Sequence, residues 1–329
     1  AASDVYKRQV YGGALVNSWL DRDLVLAGRV AVSDPEVPGG VSHRLFHHRD
    51  PLLRVPQLAI HLDREVNEAL TLNRQKHLTP VWGLGEPDEG GFRHFLAEEV
   101  GATPGEVLAW DVACADAAPP QVLGRQGEFL AAPRLDNLAS CFAAVEGLAD
   151  AAARGGPCVV VLYDHEEVGS TSATGAVGAW LAQVLERVAI AGGGDRSTLL
   201  SSLPSSMLLS ADMAHATHPN YTERHEPSHW VELGAGPVIK HNTNVRYATD
   251  SRGAAAFRAA ASSVEVAVQD YSPWGDLPCG SSIGRLAAAG LALDTVDVGA
   301  PERAMQSLRG LMAVDDVEPR VRSCGAGLA

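Results

Sequence analysis

The run CVVVLYDHEEVGS, from Cys158 to Ser170, decides how the rest of the chain is interpreted. Its first six residues, Cys158 to Tyr163, are apolar and rich in valine, which predicts a strand buried on both faces. Glu166 and Glu167 follow almost at once. Two adjacent carboxylates at the end of a buried strand are costly unless a positive charge compensates them. A metal ion would do so, with one glutamate as ligand and its neighbour free to move protons. The alternative is a solvated acidic turn.

Two further acids show the same pattern. Asp136 lies between a predicted strand, Phe129 to Pro133, and an alanine-rich helix from Leu138 to Arg154. Asp212 comes directly after a predicted strand around Met207 to Leu209. In a parallel sheet such strand ends meet at one edge. Carboxylates there suit zinc or a similar divalent ion, and two ions about 3.5–4 Å apart would polarise a carbonyl and supply a nucleophile. The alternative is that each aspartate caps a helix.

Composition limits the function classes. The 329 residues are enough for about two domains, and 46% of them are hydrophobic, which allows a large core. The net charge of −14 argues against a nucleic-acid partner. The five cysteines form no CxxC pair and indicate reduced thiols in a cytoplasmic protein. No apolar run approaches the ~20 residues that a membrane helix needs.

The first part of the chain has a different pattern from the second. Residues 1–9 carry no motif, and we expect a non-native leader on a chain that starts inside a longer protein. Strands are predicted at Gly28 to Val32 and Ser42 to His48, joined as a hairpin. Leucines at a four-residue spacing predict a helix in the centre of Arg54 to Leu72, and Lys76 to Leu84 is predicted as a short strand.

From about residue 128 strands and helices alternate, which predicts an α/β sheet with helical crossovers. The prolines Pro119 and Pro120 mark the region of the domain boundary. A dinucleotide-binding α/β enzyme is a weak alternative, because no GxGxxG motif follows a strand.

These motifs, in this order, resemble the aspartyl aminopeptidases, which are cytoplasmic di-zinc exopeptidases that remove N-terminal, preferentially acidic, residues. The resemblance runs from about residue 10 to about 318. The matching stretches are Tyr11-Gly12-Gly13 with Trp19, Asp21 to Leu24, Leu26 to Val30, Leu58 to Leu62, Arg134 to Leu138, Glu166 to Ser170, Ser210 to Ala216, His218 to Tyr221, Val238 to Lys240, Pro278 to Gly280 and Val296 to Gly299.

The resemblance implies roles for the acids. Asp136 would bridge two zinc ions, and Glu167 and Asp212 would each bind one of them. Glu166 would be the general base that takes a proton from the attacking water. The substrate would be a peptide.

The resemblance also implies substrate-binding residues. His215, His218 and Lys240 would lie near the pocket for the first side chain of the substrate, where a cation would select an acidic group. His61 would reach the active site of a neighbouring subunit. Read without the family, Lys240 would be a lysine snorkelling at a strand end and His61 a packed helix histidine.

The implied fold is mixed α/β, with a mostly parallel sheet sandwiched by helices and an inserted β-rich oligomerisation domain. Residues 10–127 would form the inserted domain, and residues 128–329 the C-terminal part of the metallopeptidase domain. The implied assembly is a homo-oligomer, with dimers building a dodecamer.

Two departures from the family pattern bear on activity. An N-terminal segment of ~100 residues with a His-Thr-Asp-Ser-Pro motif has no counterpart here, and Gln306 stands where the family has a zinc-binding histidine. Because an amide is a weaker zinc ligand than imidazole, our hypothesis is poor zinc binding and slow or absent hydrolysis. An incomplete chain of an active enzyme, or a non-catalytic relative kept for assembly or peptide binding, would both fit.

Overall fold

The computed structural model describes residues 9–85, 90–152 and 157–328, so the predicted leader lies almost wholly outside the described residues. Contacts divide the chain into two compact units, Ala1–Pro119 and Pro120–Ala329. The division falls between Pro119 and Pro120, eight residues before the start of the predicted second domain at residue 128. The oligomerisation and catalytic roles assigned to the two parts stay predictions.

The first unit contains an antiparallel three-stranded sheet. Strand β1 (Asp23–Ser33) is its centre and pairs with β2 (Val41–Arg54) on one side and with β3 (Val107–Asp116) on the other. Helix α1 (Gly91–Val100) precedes β3 and ends at Gly101, which takes the left-handed conformation with φ 64° that glycine adopts without strain. The hairpin agrees with its prediction, and the sequence also predicts this helix, as a short element from Phe92 to Glu99 that ends at Gly101.

Two predictions for the first unit are wrong. The described residues between 56 and 80 form turns and irregular structure rather than a helix, and Leu62 is 75% exposed. A four-residue apolar spacing stabilises a helix only where its apolar face is covered, and Leu58 and Leu70 are exposed as well. The predicted strand from Lys76 to Leu84 is reduced to one bridge, between Val81 and Arg54.

The second unit alternates strands and helices. In chain order its elements are β4 (Gln121–Leu123), β5 (Phe129–Ala132), α2 (Leu135–Ala152), α3 (Trp180–Ala191), α4 (Arg196–Ser202), β6 (Met207–His215), β7 (Val238–Lys240), α5 (Ser251–Ser263), β8 (Gln269–Tyr271), α6 (Gly284–Leu291), β9 (Asp294–Glu302), β10 (Gly310–Ala313) and α7 (Val317–Leu328).

The main sheet of the second unit has the order β6-β9-β7-β8. Strands β6 and β9 run parallel, as do β7 and β8, while β7 and β9 run antiparallel. Helices α2 and α6 contact both β6 and β9, and α5 contacts β9. A second, antiparallel sheet has the order β10-β5-β4. The predicted mixed, mostly parallel α/β fold is confirmed for this sheet.

The stretch that decided the sequence analysis is not a buried strand. Residues 157–163 have no regular secondary structure, and the side chains of Val159 and Leu162 are 52% and 55% exposed. No described strand pairs with them, so their amides gain no ladder of hydrogen bonds despite a β-rich composition. Asp212 also differs from its prediction, because β6 continues past it to His215. The predicted helix end at Arg154 lies outside the described residues.

Candidate metal centre

Asp136 and Asp212 are brought together by the contact between α2 and β6. The Asn137 side-chain amide donates to Ala211 O at 3.2 Å, and Ser140 Oγ donates to Asp212 O at 2.8 Å. The Asp136–Asn137 peptide bond is cis. The two hydrogen bonds hold the first turn of the helix against the strand that carries Asp212.

The two aspartates lie close enough for each carboxyl to shift the pKa of the other. Burial raises the pKa of Asp136 to about 8, and the negative charges of Asp212, Glu167 and Glu302 add to the effect. Burial also raises the pKa of Asp212, but Lys240 outweighs it and the net shift is downward. The pKa values of the two carboxyls therefore shift in opposite directions, as expected for acids that lie close together with one of them beside a cation.

Glu166 and Glu167 begin a short 3₁₀ helix, Glu166–Val168. His165 before it and Gly169 after it are both left-handed, with φ of 62° and 96°. Burial, followed by the charges of Asp212 and Glu167, raises the pKa of Glu166 to about 7. Burial and Asp212 also raise the pKa of Glu167. The structure thus places both glutamates within electrostatic reach of Asp212.

Gln306 contacts the same group of acids. Its side-chain amide donates a hydrogen bond to Glu167 Oε2 at 3.0 Å, and its own backbone is left-handed, with φ 61°. An amide that donates to Glu167 turns its N–H, rather than its oxygen, towards that carboxylate.

Lys240 is the cation of the cluster. Its side chain is 3% exposed, and its Nζ donates to Asp212 Oδ2 at 2.9 Å and to Met213 O at 3.0 Å. The ammonium also lies 4.9 Å from the centre of the Tyr247 ring. Sequence reasoning placed Lys240 beside the substrate's side chain; the structure shows it as the counter-ion of Asp212.

The predicted histidines lie in different places. His215 is the exposed last residue of β6, and its ring meets that of Tyr271 edge to face, with centroids 5.9 Å apart. His218 Nδ1 accepts the backbone N–H of Asn220 at 3.2 Å. His61 belongs to the first unit, where it is exposed in the turn-rich segment.

Glu302 is a member of the cluster that the sequence analysis did not identify. It is the last residue of β9 and is 2% exposed. Burial raises its pKa to about 8, and Asp212 and Glu167 contribute further. The signal was present in the sequence, because Glu302 comes directly after the uncharged run Val298 to Pro301, as Glu166 comes shortly after an apolar run.

The carboxylate oxygens of the cluster are of a chemical type that binds divalent cations. Oxygen ligands suit hard or borderline metals, and an excess of buried carboxylates calls for positive charge. As they stand, no three His, Cys, Asp or Glu side chains among residues 9–85, 90–152 and 157–328 form a metal-binding arrangement. Lys240 and Gln306 instead hold Asp212 and Glu167. Asp136, Glu167 and Asp212 are the residues that could hold zinc.

The sequence model of the family described as "Aminopeptidase I zinc metalloprotease (M18)" matches residues 4–323. The chain belongs to the M18 family of zinc aminopeptidases. A probable M18 family aminopeptidase 2 of Mycobacterium leprae is 50% identical over 309 residues, which cover 94% of this chain and 72% of that protein. A protein of the same description from Streptomyces coelicolor is 46% identical over 314 residues, or 94% and 71% of the two chains.

Solved structures agree with this M18 assignment. Ape4, in a cryo-EM structure of its complex with Nbr1, superposes with a TM-score of 0.91 at 36% identity, over 99% of this chain and 67% of that one. The crystal structure of prApe1 gives a TM-score of 0.87 at 27% identity, over 96% and 70% of the two chains. In the described part of this M18 chain no helix is long and apolar enough to cross a membrane.

Proposed function

We propose that the chain is a di-zinc aminopeptidase in which Asp136 bridges the two ions, Glu167 and Asp212 each hold one, and Glu166 is the general base. The observation that carries the proposal is the convergence of these four acids, from three separate segments of the chain, on one electrostatic cluster. Such a concentration of half-buried carboxylates is typical of a metal or catalytic site.

The residues have separable tasks in peptide hydrolysis. Zinc, when bound, polarises the scissile carbonyl and makes the attacking water more acidic. Glu166 accepts a proton from that water and passes it to the leaving amine. A pKa of about 7 suits this task, because a general base works best when its pKa lies near the working pH.

The test uses the full chain and an aspartyl p-nitroanilide substrate, with zinc content measured by mass spectrometry. Glu166→Gln should reduce turnover by about 10²–10⁴-fold while zinc content stays unchanged. Asp136→Asn should reduce zinc content itself. Wild-type turnover by Glu166→Gln, or wild-type zinc content in Asp136→Asn, would contradict the proposal.

We further propose that the preferred N-terminal residue is acidic, with Lys240 as the selecting cation and His215 and His218 beside the pocket. The support is the charge of Lys240 in direct contact with the cluster. Because Lys240 also pairs with Asp212, Lys240→Met should lower all rates. If Lys240 also selects the substrate, kcat/KM should fall more for an aspartyl substrate than for a leucyl substrate. An equal fall for both substrates would contradict the role of Lys240 in selection.

Assembly as a homo-oligomer through the first unit is part of the proposal. The mApe1 of S. cerevisiae, which superposes with a TM-score of 0.79 at 26% identity over 96% of this chain and 71% of that one, is described as a dodecamer. Here the turn-rich segment exposes Leu58, Leu62 and Leu84. Light scattering should show an oligomer, and His61→Ala should lower turnover without lowering zinc content. A monomer at micromolar concentration would contradict the assembly.

The second candidate is a catalytically impaired or non-catalytic relative kept for assembly or peptide binding. The observation that favours it is Gln306, whose amide donates to Glu167. If the amide limits metal binding, Gln306→His should raise both zinc content and turnover. Full zinc content and brisk turnover in the unaltered chain would exclude this candidate.

A further inference from the structure

The side chain of Glu302 is buried with one oxygen unsatisfied. The residue is 2% exposed, and Oε2 has no hydrogen-bond partner among the described residues. A buried carboxylate that lacks a partner is costly to keep. The position therefore calls for a cation or a proton donor that the described protein does not supply at Oε2.

The space for this carboxylate depends on a glycine. Gly310 begins β10, which returns beside the end of β9 through paired hydrogen bonds between Arg303 and Leu311 at 2.9 and 3.0 Å. A Cβ at position 310 would overlap Glu302 Oε1. The φ of Gly310 lies outside the left-handed region, so the backbone does not itself require glycine there. What the missing side chain provides is room for Glu302.

Glu302 lies beside the start of α2, because the Cβ position of Gly310 that meets Glu302 Oε1 is 3.5 Å from the Cβ of Leu135, the residue before Asp136. The charge of Glu302 acts on Asp136, and the charges of Asp212 and Glu167 act on Glu302 in turn. These three acids belong to three other segments of the chain, and no described group donates a hydrogen bond to Glu302 Oε2. The unsatisfied oxygen and the proposed metal ligands therefore share one electrostatic environment.

The connection between β9 and β10 carries a second polar side chain near the cluster, Gln306. It differs from Glu302 in that it is exposed, neutral and already bonded to Glu167. Of the two, the buried carboxylate is the stronger oxygen donor for a divalent cation.

We propose that Glu302 is an additional metal ligand, supplying from this connection the oxygen donor that Gln306 does not. The inference rests on the proposed metal centre of Asp136, Glu167 and Asp212. It adds a ligand to that centre and assigns Gly310 the task of making room for it.

The test is zinc binding by chelator-stripped full chain, measured by calorimetry with zinc alone. Glu302→Gln keeps the shape and removes the charge, and should raise the Kd of at least one ion by about ten-fold or more, as for the loss of a group that supports a metal. Gly310→Ala should also raise it, because the added methyl displaces the carboxylate. The variant that combines both substitutions should have a zinc Kd no higher than that of Glu302→Gln alone.

Asp297→Asn is the matched control. Asp297 is a buried acid of the same strand, but its carboxylate is satisfied by the Ala248 N–H and by Ser282 Oγ. The Asp297→Asn variant should have an unchanged zinc Kd even if its free energy of unfolding falls. Circular dichroism of each variant checks that the chain is folded.

The outcomes separate the two proposals. If Asp136→Asn weakens zinc binding and Glu302→Gln does not, the metal centre stands and Glu302 is only a buried neutral acid. If neither variant changes the Kd, the metal centre itself fails. Additive losses in the combined variant would contradict the role given to Gly310.

Discussion

Asp316 and Glu302 are both buried carboxylates of the second unit, but their surroundings are opposite. Asp316 accepts the backbone N–H groups of Gly234 and Gly236 at 2.8 and 3.0 Å, so both of its oxygens have partners. Glu302 has an oxygen without one and faces other acids. Burial raises the pKa of each, to about 6 and about 8 respectively.

The difference separates acids that serve the fold from acids that serve a ligand. A carboxylate satisfied by backbone N–H groups stabilises the loop that supplies them. A group of carboxylates that repel one another destabilises the metal-free protein, and is explained by the cation that would relieve the repulsion.

The largest effect on stability should follow from Asp212→Ala. The substitution leaves Lys240 buried without its counter-ion, and breaking a buried pair in this way costs about 3–5 kcal/mol. Urea unfolding in the presence of a chelator measures the loss. Adding Lys240→Met to Asp212→Ala should recover part of the lost stability. An Asp212→Ala variant as stable as the wild type would show that the Lys240–Asp212 pair does not stabilise the fold.

Metal-free protein should lose stability as the pH rises. Burial raises the pKa values of Asp136 and Glu302 to about 8 and that of Glu166 to about 7, from ordinary values of 3.8 and 4.5. At pH values between the ordinary and the raised pKa of each acid, the folded chain binds more protons than the unfolded chain. The free energy of unfolding therefore falls as the pH rises through this range.

Thermal unfolding between pH 5 and pH 8 measures this dependence. Added zinc should flatten it, because a bound cation favours the ionised carboxylates. A metal-free protein whose stability rises over the same window would contradict the account.

Asp316→Ala should have a smaller effect, of a different kind. It removes the acceptor for two buried N–H groups, which costs about 1–3 kcal/mol. Zinc affinity should not change, because both partners of Asp316 are backbone groups of one loop. Weakened zinc binding in this variant would contradict the conclusion that Asp316 serves the fold and not the metal centre.

The smallest effect should come from an exposed, fully partnered acid. Asp250 caps α5 by accepting the N–H groups of Arg252 and Gly253, both at 2.9 Å. Asp250→Ala should cost about 1 kcal/mol of stability and leave zinc affinity untouched. Chemical unfolding and the same zinc titration check both parts, and a cost of several kcal/mol would mean that the cap does more than close the helix.

The sequence predicted the elements that carry their own local signal. Strands β1 and β2 and helix α1 have periodicity and end signals that need no distant partner. The run Cys158 to Tyr163 and the segment from Arg54 to Leu72 have equally strong composition, yet a strand requires a paired neighbour and an amphipathic helix a surface to cover its apolar face. Such a partner would have to come from a distant segment of the chain. Local composition therefore could not reveal that none of the described residues supplies it.

The site was predictable to the extent that its acids follow apolar runs. Asp136, Glu166 and Glu167 were found in this way, and Asp212 was found although it lies within β6 rather than after it. Glu302 gives the same signal and was missed because its partner in space, Gly310, becomes meaningful only once β9 and β10 are seen side by side. Likewise, the bond from Lys240 to Asp212 joins residues 28 positions apart.

Diffraction at the zinc absorption edge, from crystals of the full chain grown with zinc, shows whether the cluster of acids binds the ion. We expect anomalous density between Asp136, Glu167 and Asp212, with Glu302 among the contacting oxygens and the Lys240–Asp212 bond lengthened. Crystals that keep the Lys240–Asp212 bond and show no anomalous density in the cluster at saturating zinc would contradict the proposed metal centre.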